Sequence, residues 1–199
     1  MEKLLYKSIL KYYLHLKIVS DTWNNEILSV KQQINVLKRL CEQYQLLTSV
    51  EADQTEIYKQ EGLKEKLVLK VFRAIQNEIA NLGNSLNRLN NVNQELKNKF
   101  TRLKEARNNV SLKDLGMKQL ISGTPMIPRL EKLLLWAKES QNYYPLLFRE
   151  VNENFNSIDY TNEDTITNFE KSFNINYYWK IKIENILRFT ETLSKTNIS

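Results

Sequence analysis

One cysteine, one histidine, three prolines and four glycines are all that 199 residues contain of these four types, and each scarcity closes off a class of protein. A single cysteine, Cys41, cannot build a disulfide framework and is compatible with a reducing compartment. With His15 as the sole histidine, a zinc site lacks the several Cys and His ligands it needs at short spacing. None of the glycines leads into a Lys-Ser/Thr pair, so the backbone cradle of a P-loop is missing and ATP hydrolysis is not expected. Glycine and proline this sparse also argue against a β-sandwich or a flexible string of domains. No run approaches the roughly 18 consecutive apolar residues of a membrane span. The opening Met1-Glu2-Lys3-Leu4-Leu5-Tyr6-Lys7-Ser8 meets charge or hydroxyl too often for a signal-peptide apolar region. The chain is expected to be soluble and intracellular.

Candidate chemistry is equally thin. Glu150 with Glu153, and Glu163 with Asp164, are carboxylate pairs of the kind found on solvated helix faces, and the Glu-x-x-His motifs of a helical carboxylate metal site are absent. His15 has no nameable partner for general base work. The reading is therefore a non-enzyme, with no catalytic, cofactor-binding or metal-binding residue.

What the chain does have is apolar spacing. Ile9, Tyr12, Leu16, Val19, Trp23, Ile27, Val30, Ile34, Leu37, Cys41 and Tyr44 follow one another at intervals of three and four. Phe72, Ile75, Ile79, Leu82, Leu86, Leu89, polar Asn93, Leu96, Phe100 and Leu103 do the same. So do Leu130, Leu134, Ala137, Gln141, Tyr144, Phe148, Val151, Phe155 and Ile158. Residues three and four apart share one side of an α-helix, so each run is a helix with an apolar seam that another helix must cover. The fold class is all-α: an elongated antiparallel bundle of three long coiled-coil-like helices plus short C-terminal helices, in one domain over residues 1–199. The same pattern serves a bundle within one chain or a dimer; three complementary helices suffice to bury one another, which favours the former.

The spacing predicts helices over 2–49, 63–108 and 128–158, then 162–173 and 176–193. The first, about 70 Å long at 1.5 Å per residue, runs through Ser20-Asp21 because Val19 and Trp23 stay in phase. Residues 50–61 read as a polar linker with a short turn near Ile57-Tyr58, and a short helix is expected near 112–120. Pro128 suits a first helical turn, whereas Pro145 predicts a kink or interruption near Asn142. Gly83 costs about 1 kcal/mol of helix propensity and a close neighbouring helix is one explanation. Asn93 either fixes register across the interface or is a tolerated polar residue. Thr161-Asn162-Glu163-Asp164 reads as a helix start, with acids at the positive end of the dipole, and residues 194–199 as a fraying end.

A formal charge of +6 comes from 29 Lys and Arg against 23 Asp and Glu. Cations and acids interleave, as in Lys64-Glu65-Lys66 and Lys104-Glu105, which marks solvated helix faces; direct nucleic-acid binding is not expected. Tyr177-Tyr178-Trp179-Lys180-Ile181-Lys182 could stack on bases, but core packing with Ile183, Ile186 and Leu187 is the favoured reading.

Trp23 in the middle of the first helix is followed by Leu63-Lys64-Glu65-Lys66-Leu67. Leu133-Leu134, Trp136, Tyr144 and Phe148 then lead to Asn156-Ser157-Ile158. In this order of features the chain resembles the AIRIM, or CA109-like, family of ribosome maturation factors, accessory proteins of Afg-type AAA+ ATPases. The resemblance spans nearly the whole chain and departs from the family in two places. Pro145-Leu146-Leu147-Phe148-Arg149-Glu150 carries one cation where a strongly basic stretch is expected, and Glu61-Gly62 replaces a Phe-Pro.

The resemblance implies a non-enzymatic adaptor in late large-ribosomal-subunit maturation, cytoplasmic and nuclear, that promotes release and recycling of maturation factors. Its partners would be the AAA+ ATPase, companion adaptor proteins and the pre-60S ribosomal particle, with no membrane. Interface energy concentrates in aromatic and arginine anchors, so Trp136, Tyr143, Tyr144 and Arg149, clustered around Pro145, are the candidate partner-binding residues. The alternative is a structural coiled-coil subunit of a cytoskeletal, kinetochore or tethering assembly.

Overall fold

The three-four spacing is realised as helix wherever it is long. The computed structural model describes residues 2–49, 62–111, 117–125 and 127–194, and no β-strand occurs among them. Helix α1 spans Glu2–Thr48, α2 Leu63–Asn108, α3 Lys118–Ser122, α4 Leu130–Asn156, α5 Glu163–Ser172 and α6 Tyr177–Glu191, followed by a 3-10 turn over Thr192–Ser194. The protein is all-α. The linker read over 50–61 lies outside the described residues, as do all but Ser194 of the fraying end read over 194–199 and residues 112–116 of the short helix read near 112–120; the helix found there is Lys118–Ser122.

Local chemistry explains the helix ends. The Asn162 side chain accepts from the backbone N–H of Asp164 at 3.0 Å, with Glu163 and Asp164 in the first turn of α5. Asn176 caps α6 in the same way, accepting from Tyr178 N–H at 2.9 Å. Each cap satisfies a donor that a helix N-terminus leaves without an intrahelical partner. Helix α4 starts at Leu130 and not at Pro128, because a turn precedes it: Thr124 N–H donates to Ile127 O at 2.8 Å and Ile127 N–H returns the bond to Thr124 O at 3.2 Å. Gly123 opens that turn at φ +71°, where an added Cβ would lie 2.8 Å from Ile127 O, so only glycine fits. No interruption occurs at Pro145; α4 is helical from Leu130 to Asn156. Nor does Ser20-Asp21 break α1.

The chain divides into two compact units, one made of residues 1–24, 89–148 and 175–199, the other of 25–88 and 149–174. In the first, α1 and α2 run antiparallel, as the Tyr12–Phe100 ring pair and the Trp23–Asn93 hydrogen bond require. Helix α4 runs alongside α1: the Tyr12 hydroxyl donates to Ala137 O at 2.8 Å, and the Tyr13 hydroxyl donates to Leu133 O. Helix α6 runs opposite to α4, pairing Trp136 with Phe189 and Tyr143 with Trp179. The result is a four-helix packing around Leu5, Ile9, Tyr12, Leu16, Trp23, Leu89, Leu96, Leu133 and Ala137, all at most 1% exposed. Burial raises the Tyr12 and Tyr144 hydroxyls far above the usual tyrosine range.

In the second unit, α1 and α2 are again antiparallel, tied by the Glu26–Arg88 pair at one end and the Tyr44–Phe72 rings at the other. Helix α5 runs opposite to α1, with Lys38 Nζ 2.7 Å from Glu170 Oε2. Val30, Ile34, Leu37, Ile75, Leu82, Ile166 and Phe169 form its core at 0% exposure. Gly83 is not forced by a close approach, since a Cβ there would meet the Phe155 ring at 3.5 Å, an ordinary contact.

The buried ridge of α4 is displaced from the expected one. Leu133, Ser140 and Leu147 are buried, whereas Leu134, Gln141 and Phe148 are only half-buried. In the first unit α4 touches α1 on one side and α6 on the other, and a helix with two neighbours buries a wider arc than a two-partner seam.

Candidate functional site

The surface formed by α4 and α6 within the first unit gathers the exposed aromatic side chains. Helix α6 carries two apolar ridges. Trp179, Ile183, Ile186 and Thr190 face the interior, Trp179 half-buried and the others buried; Tyr178, Ile181 and Phe189 form a second ridge, offset from the first, and stay exposed. Tyr177 is 76% exposed, Tyr178 64% and Phe189 54%. The expectation that this basic-aromatic run is core holds for Ile183 and Ile186 and fails for Tyr177 and Tyr178. The physical reason is helical phase: at about 100° per residue Tyr177 and Tyr178 fall outside the arc shared by Ile183, Ile186 and Thr190 that the interior covers.

Across from this ridge stands α4. Trp136 stacks on Phe189 with ring centroids 5.9 Å apart and planes 23° from parallel. Lys132 Nζ lies 4.8 Å from the Trp136 ring and 5.7 Å from the Phe189 ring, a cation–π arrangement that fixes the indole face. A groove of about 410 Å³ follows, lined by Trp136, Tyr177, Tyr178, Ile181 and Ile186 among others. Lys182 spans its floor: Nζ is 2.8 Å from Glu139 Oε1 and 4.8 Å from the Trp179 ring. The hydrogen bond to Glu139 holds the Lys182 ammonium above its usual range. Leu135 and Leu146 of α4 are also more than half exposed.

Below the surface, Trp179 stacks on Tyr143 at 4.8 Å, Tyr143 meets Tyr144 at 5.1 Å, and Tyr144 meets Trp23 at 5.9 Å. Trp23 Nε1–H donates to Asn93 Oδ1 at 3.0 Å, and Asn93 Nδ2 donates to Tyr144 O at 3.4 Å. Asn93, 4% exposed, therefore pairs across the interface and is not merely tolerated. The Tyr143 hydroxyl is buried without a hydrogen-bond partner among the described residues, and burial raises it to about 12.

The four candidate anchors thus have different situations. Trp136 is half-buried on the groove wall, while Tyr143 and Tyr144 lie beneath it at 9% and 3% exposure. Arg149 belongs to the second unit, where its exposed side chain lies 3.9 Å from Glu153. The structure brings the first three together. Sequence reasoning missed Phe189 and Lys132 and set Tyr177 and Tyr178 aside as core, although the offset ridge at 178, 181 and 189 was a usable signal. His15 is buried, with Nε2 3.3 Å from Val92 O. Among the described residues, no three His, Cys, Asp or Glu side chains gather as a metal site would require. No helix among them is long and apolar enough to cross a membrane.

A family model described as CA109-like, ribosome biogenesis protein C1orf109-like, matches residues 3–176. The chain belongs to that family. A search of curated proteins finds no significant match to it.

Proposed function

We propose that this member of the ribosome biogenesis family is a non-enzymatic adaptor that docks onto a protein partner through the aromatic face of α4 and α6. Family membership places it in ribosome biogenesis. The finer reading is that the partner is an Afg-type AAA+ ATPase or its companion adaptor, acting on late precursors of the large ribosomal subunit, with the ATPase supplying the nucleotide chemistry.

The observation that carries the docking role is the groove beside Trp136, lined by Tyr177, Tyr178 and Ile181. Exposing this much aromatic surface costs hydration free energy, and contiguous apolar patches on soluble proteins mark interaction sites. Tryptophan and tyrosine in a partly desolvated pocket are the side chains that most often dominate interface energy.

The test is affinity purification from the native organism with wild type, Trp136→Ala and Tyr178→Ala. Wild type should recover an AAA+ ATPase and pre-60S factors, and each variant should lose at least tenfold of that recovery while retaining its helical circular dichroism. Recovery of tubulin-associated or vesicle-tethering components would overturn the reading in favour of a structural coiled-coil subunit. Unchanged recovery by both variants would remove this face as the docking site.

A further inference from the structure

The interleaving of charge along the sequence conceals a segregation in space. Among the described residues, the first unit holds sixteen Lys and Arg against eight Asp and Glu, a net +8; the second holds ten against ten. The first unit is assembled from three separated segments, so the full imbalance emerges only when they are summed.

Within the first unit the excess concentrates on the last third of α2. Lys97, Lys99, Arg102, Lys104 and Arg107 share eleven residues with a single acid, Glu105. Lys99 and Arg102 meet Lys11 of α1 across a crevice of about 300 Å³ that also takes in Asn109 and Glu105. A second cavity, of about 600 Å³, has Arg107 and Arg129 on its lining with one acid, Glu131. No ion-pair partner lies within 4.0 Å of Lys11, Lys97, Lys99, Arg102 or Arg107 among the described residues.

We propose that the Lys11–Lys99–Arg102 crevice is a binding site for the phosphodiester backbone of RNA. The nature of its lining favours a polyanion over an acidic protein. Protein interfaces are built around an apolar or aromatic centre, whereas the only apolar side chains here are Leu4 and Ala106. The aromatic anchors of this unit sit instead on α4 and α6, where the protein-docking role was placed. Lys99 and Arg102, three apart on α2, share one face of the helix and with Lys11 set three cations along one crevice, which suits a ligand bearing a charge at every residue. The site is independent of the α4 and α6 face, and each can fail without the other.

Neutralising three phosphates of a single strand gives a slope of log K against log salt of about −2, so affinity should fall roughly 20-fold between 50 and 200 mM salt. The experiment is fluorescence anisotropy of the full chain with a labelled single-stranded RNA across that salt range. The variants are the triple Lys11→Gln, Lys99→Gln, Arg102→Gln and, as a charge-matched control in the other unit, Lys66→Gln, Lys70→Gln, Arg73→Gln. The crevice variant should lose most of the binding at 50 mM and flatten the slope, while the control retains both; thermal melts report whether each is folded. Equal loss in the two variants would reduce the effect to net charge and overturn the site. Polyglutamate displacing RNA at equal charge concentration would identify an acidic protein as the ligand and also overturn it, as would the absence of RNA binding by wild type at 50 mM.

Discussion

Asn93 is the point at which the packing of the first unit can be broken by one side chain. Its carboxamide is enclosed, taking the Trp23 indole N–H at 3.0 Å and giving an N–H to Tyr144 O at 3.4 Å. Trp23 itself is 1% exposed, so neither partner can turn to water. In Asn93→Ala the indole N–H is left buried and unpaired, a penalty in the upper part of about 1–3 kcal/mol that already contains the lost hydrogen bond. A loss of about 2–3 kcal/mol is expected. For a chain of this length that lowers Tm by about 4–12 °C. Trp23→Phe removes the donor and strands Asn93 Oδ1, so it should cost a similar amount. The decisive measurement is the double-mutant cycle by urea denaturation, followed by far-ultraviolet circular dichroism. The pair should show a coupling energy of about 1 kcal/mol, because once the indole is gone the carboxamide has less to lose. Asn93→Leu separates filling from pairing: it occupies the seam and still leaves the indole unsatisfied. An Asn93→Ala variant within about 0.5 kcal/mol of wild type, with no coupling to Trp23, would refute the view that this residue holds the helices in register.

Three further outcomes follow from the second unit. Gly83→Ala should stabilise the protein by up to about 1 kcal/mol and raise Tm by about 2–4 °C, since its Cβ meets only the Phe155 ring at 3.5 Å; a lowered Tm would mean the ring cannot accommodate it. Glu26 accepts from Arg88 Nε at 2.7 Å and Nη2 at 2.9 Å, which holds its carboxyl below the usual range. A depressed folded pKa contributes stability above the ordinary glutamate range that is lost as pH falls through the lowered value. Glu26→Gln should therefore remove a few tenths to about 1 kcal/mol at neutral pH and nothing in strong acid, read by urea melts at both. Burial raises the Cys41 thiol to about 11 from 9.0; a raised folded pKa means stability that is full below pH 9 and lost towards pH 11. The stability advantage of wild type over Cys41→Ala should narrow across that interval, and a constant gap would contradict the assignment.

Helices were legible because their signals are local. The seam of α1 survives intact from Ile9 to Cys41, its residues buried except for half-buried Ile27, since the three-four spacing and the absence of internal breakers point the same way. Asn162 with its following acids marked the start of α5 for the same reason. Pro145 misled. Proline forfeits one backbone bond, and Tyr144, Leu147 and Val151 bury enough apolar surface around it for the helix to run through. The docking face escaped because amphipathicity shows which residues are apolar and not which ridge has a neighbour. Tyr178 and Ile181 read like core, yet the interior takes only the Ile183–Ile186 ridge of α6 and leaves Tyr178, Ile181 and Phe189 exposed, with Trp136 against Phe189 alone. The basic window 97–107 was open to reading from the sequence alone, whereas its union with Lys11 and with the rest of the basic unit was not, because those segments lie far apart in the chain.

Tyr143 and Tyr144 entered as candidate contacts, and their burial gives them a different use in the proposed docking. Trp179 rests on Tyr143, Tyr143 on Tyr144, and Tyr144 on Trp23, a continuous run of rings from the Asn93 node to α6. The orientation of α6, and with it the exposed Tyr178 ridge, is set by this stack, so the two tyrosines are positioning residues for a surface they do not reach. Ring and hydroxyl can be separated experimentally. The Tyr143 hydroxyl has no partner among the described residues, so Tyr143→Phe deletes a polar group that gains nothing from burial and should leave stability unchanged or raise it by about 1 kcal/mol. Partner capture should stay at the wild-type level. Tyr143→Ala removes the ring beneath Trp179, costing about 3 kcal/mol or more of stability, and should weaken capture even at temperatures where the variant is fully folded. Tyr143→Phe losing more than about 1 kcal/mol would show that its hydroxyl is satisfied after all. Undiminished capture by folded Tyr143→Ala would show that the α6 ridge is held in place without the stack.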